Sequence, residues 1–344
     1  MSDKRYLILA EGFSADAHYG KTMWGVLRYR REDVVAILDS TRAGETTEGL
    51  PVVAGVNDAL CFNPTTALVG VATQGGRFPP AWIQLLKSCI AKGLDVENGL
   101  HVFLADDPEL RALAARHNVE LHDLRRPPAD VSTATGANLD VPATIVLTVG
   151  SDCAIGKMTV ALELDLEARR RGIRSVFVPT GQTGIAIAGW GISVDAVVAD
   201  FVAGAAERLV VEGHERGGDL LWVEGQGALL HPVYSGVTLG LYHGSAPHLL
   251  VLCHEAGRDE IEGAGGGPHP IPPLRELVEL HERIALPVRP ARVVAVALNT
   301  RLLGDAEAAA AVAAAERETG LPASDPVRFG PGAIVDAVLA AAGL

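Results

Sequence analysis

Apolar residues fall in short runs bounded by glycine, proline or acidic residues, and their spacing separates strands from helices. Residues 6–10, 34–38, 67–72 and 100–104 are runs of the kind that form strands, while 81–92 and 108–117 repeat their apolar positions every three to four residues, as helices do. Strand and helix alternate, which predicts a parallel sheet with helical crossovers.

The pattern breaks in 124–142, LRRPPADVSTATGANLDVP, which is rich in proline and small polar residues and has no apolar period. A linker is expected at 131–142, dividing a first domain at 1–130 from a second at 143–344. The second restarts with a wholly apolar strand at 144–149, a glycine-rich loop, and a helix from about 156 to 171 stopped by Gly172. Further near-continuous apolar strands follow at 175–179, 220–223, 248–253 and 293–298, the signature of strands buried on both faces. A turn-rich loop is expected at 263–273, and an alanine-rich helix at 305–319 with Asp305 as N-cap and Gly320 as its stop. The fold class that follows is α/β: a Rossmann-like N-terminal parallel-sheet domain, then a P-loop NTPase-like α/β domain.

Length supports this division, since 344 residues at roughly 150 per domain make two. Aromatics are only 5% of the chain against 48% hydrophobic residues overall, so the cores must be built from Ala, Val, Leu and Ile. Acids outnumber bases 42 to 29, a formal charge of −13, and that sign removes the attractive field on which non-specific nucleic-acid binding depends. No apolar run reaches the roughly 18 residues of a membrane span, and residues 6–10 are too few for a leader. The four cysteines, Cys61, Cys89, Cys153 and Cys253, make no C-x-x-C pair, so no disulfide framework or zinc set is expected. A small-molecule partner, neither nucleic acid nor membrane, and a cytoplasmic homo-oligomer are the expectations.

The strongest chemical signal is the loop Gly150-Ser151-Asp152-Cys153-Ala154-Ile155-Gly156-Lys157-Met158-Thr159 between a buried strand and a helix. In that context successive backbone N–H groups and the helix N-terminus converge on a phosphate, and a lysine adds charge. Five residues separate the glycines, a spacing that resembles the dethiobiotin synthetase-like branch of P-loop proteins. Met158 occupies the place where a Ser or Thr hydroxyl ordinarily meets Mg²⁺, and Thr159 lies about 100° further round the helix. A ligand whose phosphates need amides and a lysine but no metal, such as coenzyme A, suits this loop better than Mg-ATP.

Other candidates sit where strands end, the place at which open α/β sheets bind ligands. Trp222-Val-Glu224-Gly-Gln226-Gly227 offers Glu224 as a base or metal ligand, and Pro179-Thr-Gly181-Gln182-Thr183-Gly184 offers small donors at the same edge. His231 is the favoured base among a group that includes His243, His248 and His254, and their spacing defines no metal set. Arg258, just past a strand and a glycine, is a candidate for a substrate carboxylate. Near the N-terminus, Gly12 to Gly20-Lys21-Thr22 ends like a P-loop, but seven residues separate its glycines, which points to a substrate or interface loop. The first strand lacks G-x-G-x-x-G, so NAD is not indicated.

Gly99-Leu-His101, Asp106-Asp107-Pro108-Glu109-Leu110, the 149–159 loop, Thr180-Gly-Gln-Thr-Gly184, Val194-Asp195 with Asp200-Phe201-Val-Ala-Gly204, and Val223-Glu-Gly-Gln-Gly227 with His231-Pro232 together resemble a P-loop family long carried as a domain of unknown function. Members of that family are assigned as D-glutamate N-acetyltransferases that work with an N-acetyl-D-glutamate racemase. The resemblance implies acetyl transfer from acetyl-CoA to D-glutamate or a similar acidic amino acid. It would use residues 150–159 for the phosphates, Glu224 and His231 as candidate catalytic bases, and Gln182, Thr183, Gln226 and Arg258 for substrate. Two alternatives stand beside it: an ATP- and Mg-dependent carboxylate ligase or kinase, using Thr159, Glu224 and Asn299, and a nucleotide-binding module without turnover.

Overall fold

Apolar runs become strands covered on both sides, and the helices between them build two open sheets. The computed structural model describes residues 4–16, 19–73, 76–79 and 81–344. Its contacts divide the chain into two units, Met1–Arg126 with Ile185–Ala196, and Pro127–Gly184 with Val197–Leu344.

The first unit holds β1 (Tyr6–Leu9), β2 (Val34–Leu38), β3 (Thr46–Thr47), β4 (Leu50–Val53), β5 (Thr66–Val69), β6 (Asp95–Asn98) and β7 (Leu121–Asp123), with helices α1 (Lys21–Tyr29), α2 (Val56–Ala59), α3 (Trp82–Ala91) and α4 (Pro108–His117). The strand order is β3-β4-β2-β1-β5-β6-β7, and every pair is parallel except β3 with β4. Side chains of β1 alternate between two cores. Leu7 and Leu9 join Leu86 and Ile90 of α3, whereas Tyr6 and Ile8 join Met23 and Val26 of α1, as the period of two requires. Helix α4 starts where Asp107 accepts from the amides of Glu109 and Leu110, with Pro108 in the first turn, where a missing N–H costs nothing.

The second unit holds β8 (Thr144–Gly150), β9 (Ser175–Val178), β10 (Leu220–Val223), β11 (Leu249–Glu255), β12 (Arg292–Asn299) and β13 (Ala323–Ser324) in the order β13-β12-β11-β8-β10-β9, all parallel. Its helices are α5 (Lys157–Arg170), α6 (Gln182–Ala188), which crosses into the first unit, α7 (Val202–Glu215), α8 (Ser235–Ser245), α9 (Leu274–Arg283), α10 (Asp305–Thr319) and α11 (Gly332–Ala342). The chain leaves β8 toward β9 and β10, then returns to β11 on the opposite side. Neighbours β8 and β11 therefore send their following loops in opposite directions, which opens a crevice at their carboxyl ends.

Several expectations shift. The strand expected at 100–104 lies at Asp95–Asn98. Its buried Glu97 and Asn98 break the apolar run; Glu97 accepts from Lys4 and the Tyr6 hydroxyl, while Leu104 enters a 3-10 turn. Helix α10 is capped by Gly304, and Asp305 is its first residue. The expected linker is tied down, because Glu207 of α7 accepts from the Thr135 amide and hydroxyl, both at 2.8 Å, and from the Gly136 amide at 2.6 Å. Burial pushes that carboxyl up, but these bonds and one from the Asn138 amide hold it below its ordinary value. Residues 185–196, expected in the second domain, group with the first unit. There Ala186 is buried in the Tyr6–Ile8 core and its carbonyl accepts from Arg30 at 3.0 Å. In the 12–20 loop, residues 17 and 18 lie outside those described. Among the described residues no helix is long and apolar enough to cross a membrane.

Helices α7 and α8 meet backbone to backbone. A Cβ on Gly244 would lie 2.1 Å from the Ala203 carbonyl oxygen, and one on Gly240 would lie 2.5 Å from Val202 Cγ1. Main chain cannot swing aside as a side chain can, so Gly244→Ala is expected to destabilise the protein by about 1–3 kcal/mol. Thermal unfolding should show a midpoint lowered by about 2–4 °C for each of those kcal/mol.

Candidate functional site

The crevice is built by the loops that follow β8 and β11. Strand β8 ends at Gly150, which pairs in register with Cys253 of β11, and the Ser151 amide donates to the Cys253 carbonyl at 3.1 Å. The turn is tight, since a Cβ on Gly150 would meet Ile155 Cδ1 at 2.8 Å and Lys157 Cδ at 3.2 Å. Ala154 at φ 54° and Gly156 at φ 109° take left-handed conformations before α5 begins at Lys157. For alanine that is a strained choice, of the kind found where loops close around ligands.

Lys157 is 6% exposed, and its ammonium donates to the Asp152 carbonyl at 2.6 Å. Burial holds its pKa below the ordinary value, against the pull of Cys153, Cys253, Asp152 and Glu224. A cation kept partly desolvated inside an amide loop interacts strongly with an arriving anion. Met158 and Thr159 follow on the first turn of α5, both half-buried.

Asp152 has no exposed surface, and its Oδ2 accepts from Arg258 Nη1 and from the Glu262 amide, both at 2.9 Å. The same guanidinium reaches Glu255 at 3.1 Å and Glu262 at 2.9 Å. Arg258, expected to hold a substrate carboxylate, is thus surrounded by three carboxylates of its own chain. Glu255 also bonds Asn299 and Arg301, at 3.3 and 3.2 Å, and Asn299 donates to the Ile155 carbonyl at 3.2 Å.

On the other side of β8, β10 delivers Glu224. Its Oε2 accepts from the Thr180 amide at 2.8 Å and the Gly181 amide at 3.1 Å, and its carbonyl accepts from the Thr180 hydroxyl at 2.7 Å. Gln226 donates to the Thr180 carbonyl, and Gln182 and Thr183 are buried at the start of α6. Space here admits only glycine: a Cβ on Gly225 would fall 1.6 Å from the Thr148 carbonyl oxygen, and one on Gly184 would fall 2.4 Å from Glu224 Oε2.

His231 is 1% exposed, with Nδ1 accepting from the Val233 amide at 3.1 Å and Nε2 lying 3.3 Å from the Glu262 carbonyl. Atoms of Asp152, Cys153 and His231 able to bind a cation lie within 4.8 Å of one another, a juxtaposition that sequence spacing does not reveal. Asp152 and His231 are already engaged by the hydrogen bonds just described. His248 and His243 serve backbone instead, at Ile145 and Ile284. Residues 150–159, Gln182, Thr183, Glu224, Gln226, His231 and Arg258 thus all follow the carboxyl ends of β8 to β11, whereas His243 and His248 do not. The contact that sequence reasoning missed is His254 Nδ1 to Ser151 Oγ at 2.9 Å. His254 stands directly after the apolar run 249–253, just as the phosphate loop follows its own strand, and the strand-end rule applied there would have found it.

If Arg258 is an anchor for the loop, removing it leaves Asp152 and Glu255 buried without their cation. Arg258→Met is expected to cost about 3–5 kcal/mol in denaturant unfolding, whereas a side chain reserved for substrate would leave stability unchanged.

Known proteins resemble this chain over nearly its whole length. The model of the DUF1611_C P-loop domain, a domain of unknown function, matches residues 132–335, and that of the DUF1611_N Rossmann-like domain matches 39–127. A protein of Tritonibacter scottomollicae named D-glutamate N-acetyltransferase is 37% identical over 345 aligned positions, covering 99% of this chain and 100% of that one. A protein of the same name from a Pseudoalteromonas species is 34% identical, covering 84% and 87%. The crystal structure of a DUF1611 family protein from Anabaena variabilis superposes with a TM-score of 0.91 at 40% identity, over 98% of this chain and 99% of that one. By its two domains, their order and these full-length likenesses, the chain belongs to the DUF1611 family.

Proposed function

We propose that the protein is an N-acetyltransferase that moves the acetyl group of acetyl-CoA to the amine of D-glutamate or a similar acidic amino acid. The observation that carries this reading is the 37% identity, across 99% of the chain, to a protein named D-glutamate N-acetyltransferase. The loop supports it chemically. The N-terminus of α5 and the buried Lys157 suit the phosphates of coenzyme A, and Met158 supplies no hydroxyl of the kind that orients Mg²⁺ in nucleotide hydrolysis. Thr159, one position on, points elsewhere around the helix.

In this reading the substrate amine loses a proton, attacks the thioester carbonyl directly, and backbone N–H groups hold the oxyanion that forms. Gln182, Thr183 and Gln226 follow the ends of β9 and β10, on the side of β8 away from β11. Glu224 and His231, the candidate bases, already carry hydrogen bonds that hold loops: Glu224 fastens the Thr180–Gly181 turn, and His231 fastens 231–233. Arg258 acts through Asp152, fixing the shape of the phosphate loop.

Calorimetric titration with acetyl-CoA, and separately with Mg-ATP, tests the reading. Acetyl-CoA is expected to bind, and Lys157→Ala to weaken it about 10- to 150-fold, the loss of one hydrogen bond to a charged group of about 1.5–3 kcal/mol. D-Glutamate should then release free thiol from the bound thioester. Tight Mg-ATP binding with none for acetyl-CoA would overturn the assignment in favour of a carboxylate ligase or kinase.

A further inference from the structure

Resting on the acetyl-transfer reading, we propose that His254 is the general base that deprotonates the acceptor amine, and that Ser151 is the positioning residue that sets its tautomer. His254 stands at the end of β11, where its Nδ1 lies 2.9 Å from Ser151 Oγ in the phosphate loop. The same ring lines a cavity of about 590 Å³, together with Arg258, Asp259, Ile271, Leu298 and Glu318. One side chain thus bridges the loop assigned to the donor phosphates and a space large enough for a small substrate.

The hydroxyl makes the link chemical. A serine oxygen can donate one hydrogen bond and accept others. When the Ser151 O–H donates to a phosphate oxygen, its remaining role toward His254 is that of acceptor. The ring proton then belongs on Nδ1, and the lone pair lies on Nε2, on the far side of the ring. Donor binding in this way prepares the base before the acceptor reacts. Burial holds the pKa of His254 below its ordinary value, opposed by Asp259, Glu318 and Glu255 and reinforced by Arg258. The ring is therefore neutral near pH 7 and able to accept a proton. Asp259 and Glu318 on the cavity wall favour the arrival of an ammonium group over other polar groups of the acceptor.

The step balances. Nε2 takes one ammonium proton and passes it to solvent; the nitrogen lone pair forms the C–N bond while the thioester C–S bond breaks. The remaining excess proton on nitrogen goes to the departing thiolate, giving amide, thiol and one released proton.

The test measures kcat against pH, with acetyl-CoA affinity, for the full-length protein and for His254→Gln and Ser151→Ala. For the wild type, kcat should be flat above an acidic limb that lies below the ordinary histidine pKa. His254→Gln should lower kcat at pH 7 about 100-fold or more, keep the Kd for acetyl-CoA within about twofold, and replace the plateau by a rate that climbs with pH toward the pKa of the amine. Ser151→Ala should lower kcat while leaving the acceptor KM unchanged. A His254→Gln protein that keeps kcat within about threefold and retains the acidic limb overturns the base assignment and leaves acetyl transfer standing. Absence of acetyl transfer by the wild type to any D- or L-amino acid overturns the functional reading, and the base with it. Should His254→Gln fail to fold, His254→Asn replaces it, and a wild-type kcat without the acidic limb is itself enough to overturn the proposal.

Discussion

A carboxylate with no exposed surface in the middle of an amide-lined loop has to be neutralised where it stands, and Asp152 is neutralised by Arg258. That ion pair joins the loop after β8 to the loop after β11, across the point where the two strands part. Its geometry is demanding: Oδ2 accepts from a guanidinium and a backbone amide together. A buried pair of this kind adds little net stability compared with apolar packing, yet it is costly to break and therefore fixes geometry. Around it the remaining contacts fall into place. The Asp152 carbonyl receives Lys157, Glu255 spans Arg258 and Arg301, and Asn299 of the next strand reaches the Ile155 carbonyl.

The opposite wall depends on a second constraint, the approach of backbone to backbone. Gly225 sits so close to the Thr148 carbonyl that only a missing side chain allows β10 and β8 to end side by side. Its amide then donates to the Thr148 hydroxyl at 2.9 Å, and Glu224, one residue earlier, turns its carboxylate onto the Thr180 and Gly181 amides. A carboxylate that accepts two backbone N–H groups satisfies donors which the turn leaves orphaned. Glu224, a candidate base or metal ligand in the sequence, is therefore also part of the frame.

Legibility followed the physics of each signal. The strand, loop and helix of 144–170 were readable because an unbroken apolar run, a glycine pair and a lysine occur consecutively, and local chemistry determines that element. Strand β6 was not, since Glu97 and Asn98 put buried polar residues in the run, and the partners of Glu97, Lys4 and Tyr6, lie some 90 positions away in sequence. Proline and small polar residues in 131–142 read as a linker, whereas Glu207, some 70 positions further on, ties that segment to α7. Residues 185–196 follow a strand of the second sheet and yet belong with the first unit, a placement that no local pattern encodes. Arg258 and His254 were each visible as single residues; which groups they serve depends on the pairing of β8 with β11.

That pairing also explains why a P-loop without the usual hydroxyl can still be a well-defined site. Where Mg²⁺ is used, the metal supplies much of the charge that orients phosphate, and the protein holds the metal. In this loop Lys157 is kept buried, Asp152 is compensated by Arg258, and Ser151 is held against His254. Because each of these contacts is made by a loop belonging to a different strand from its partner, or by the first turn of α5, the site is only as ordered as the junction of the two strands. The crevice is thus assembled by sheet register, Gly150 opposite Cys253, and a one-residue slip would turn Ser151 and His254 to opposite faces. Register, more than any single side chain, is what brings the phosphate loop and the histidine into hydrogen-bonding distance.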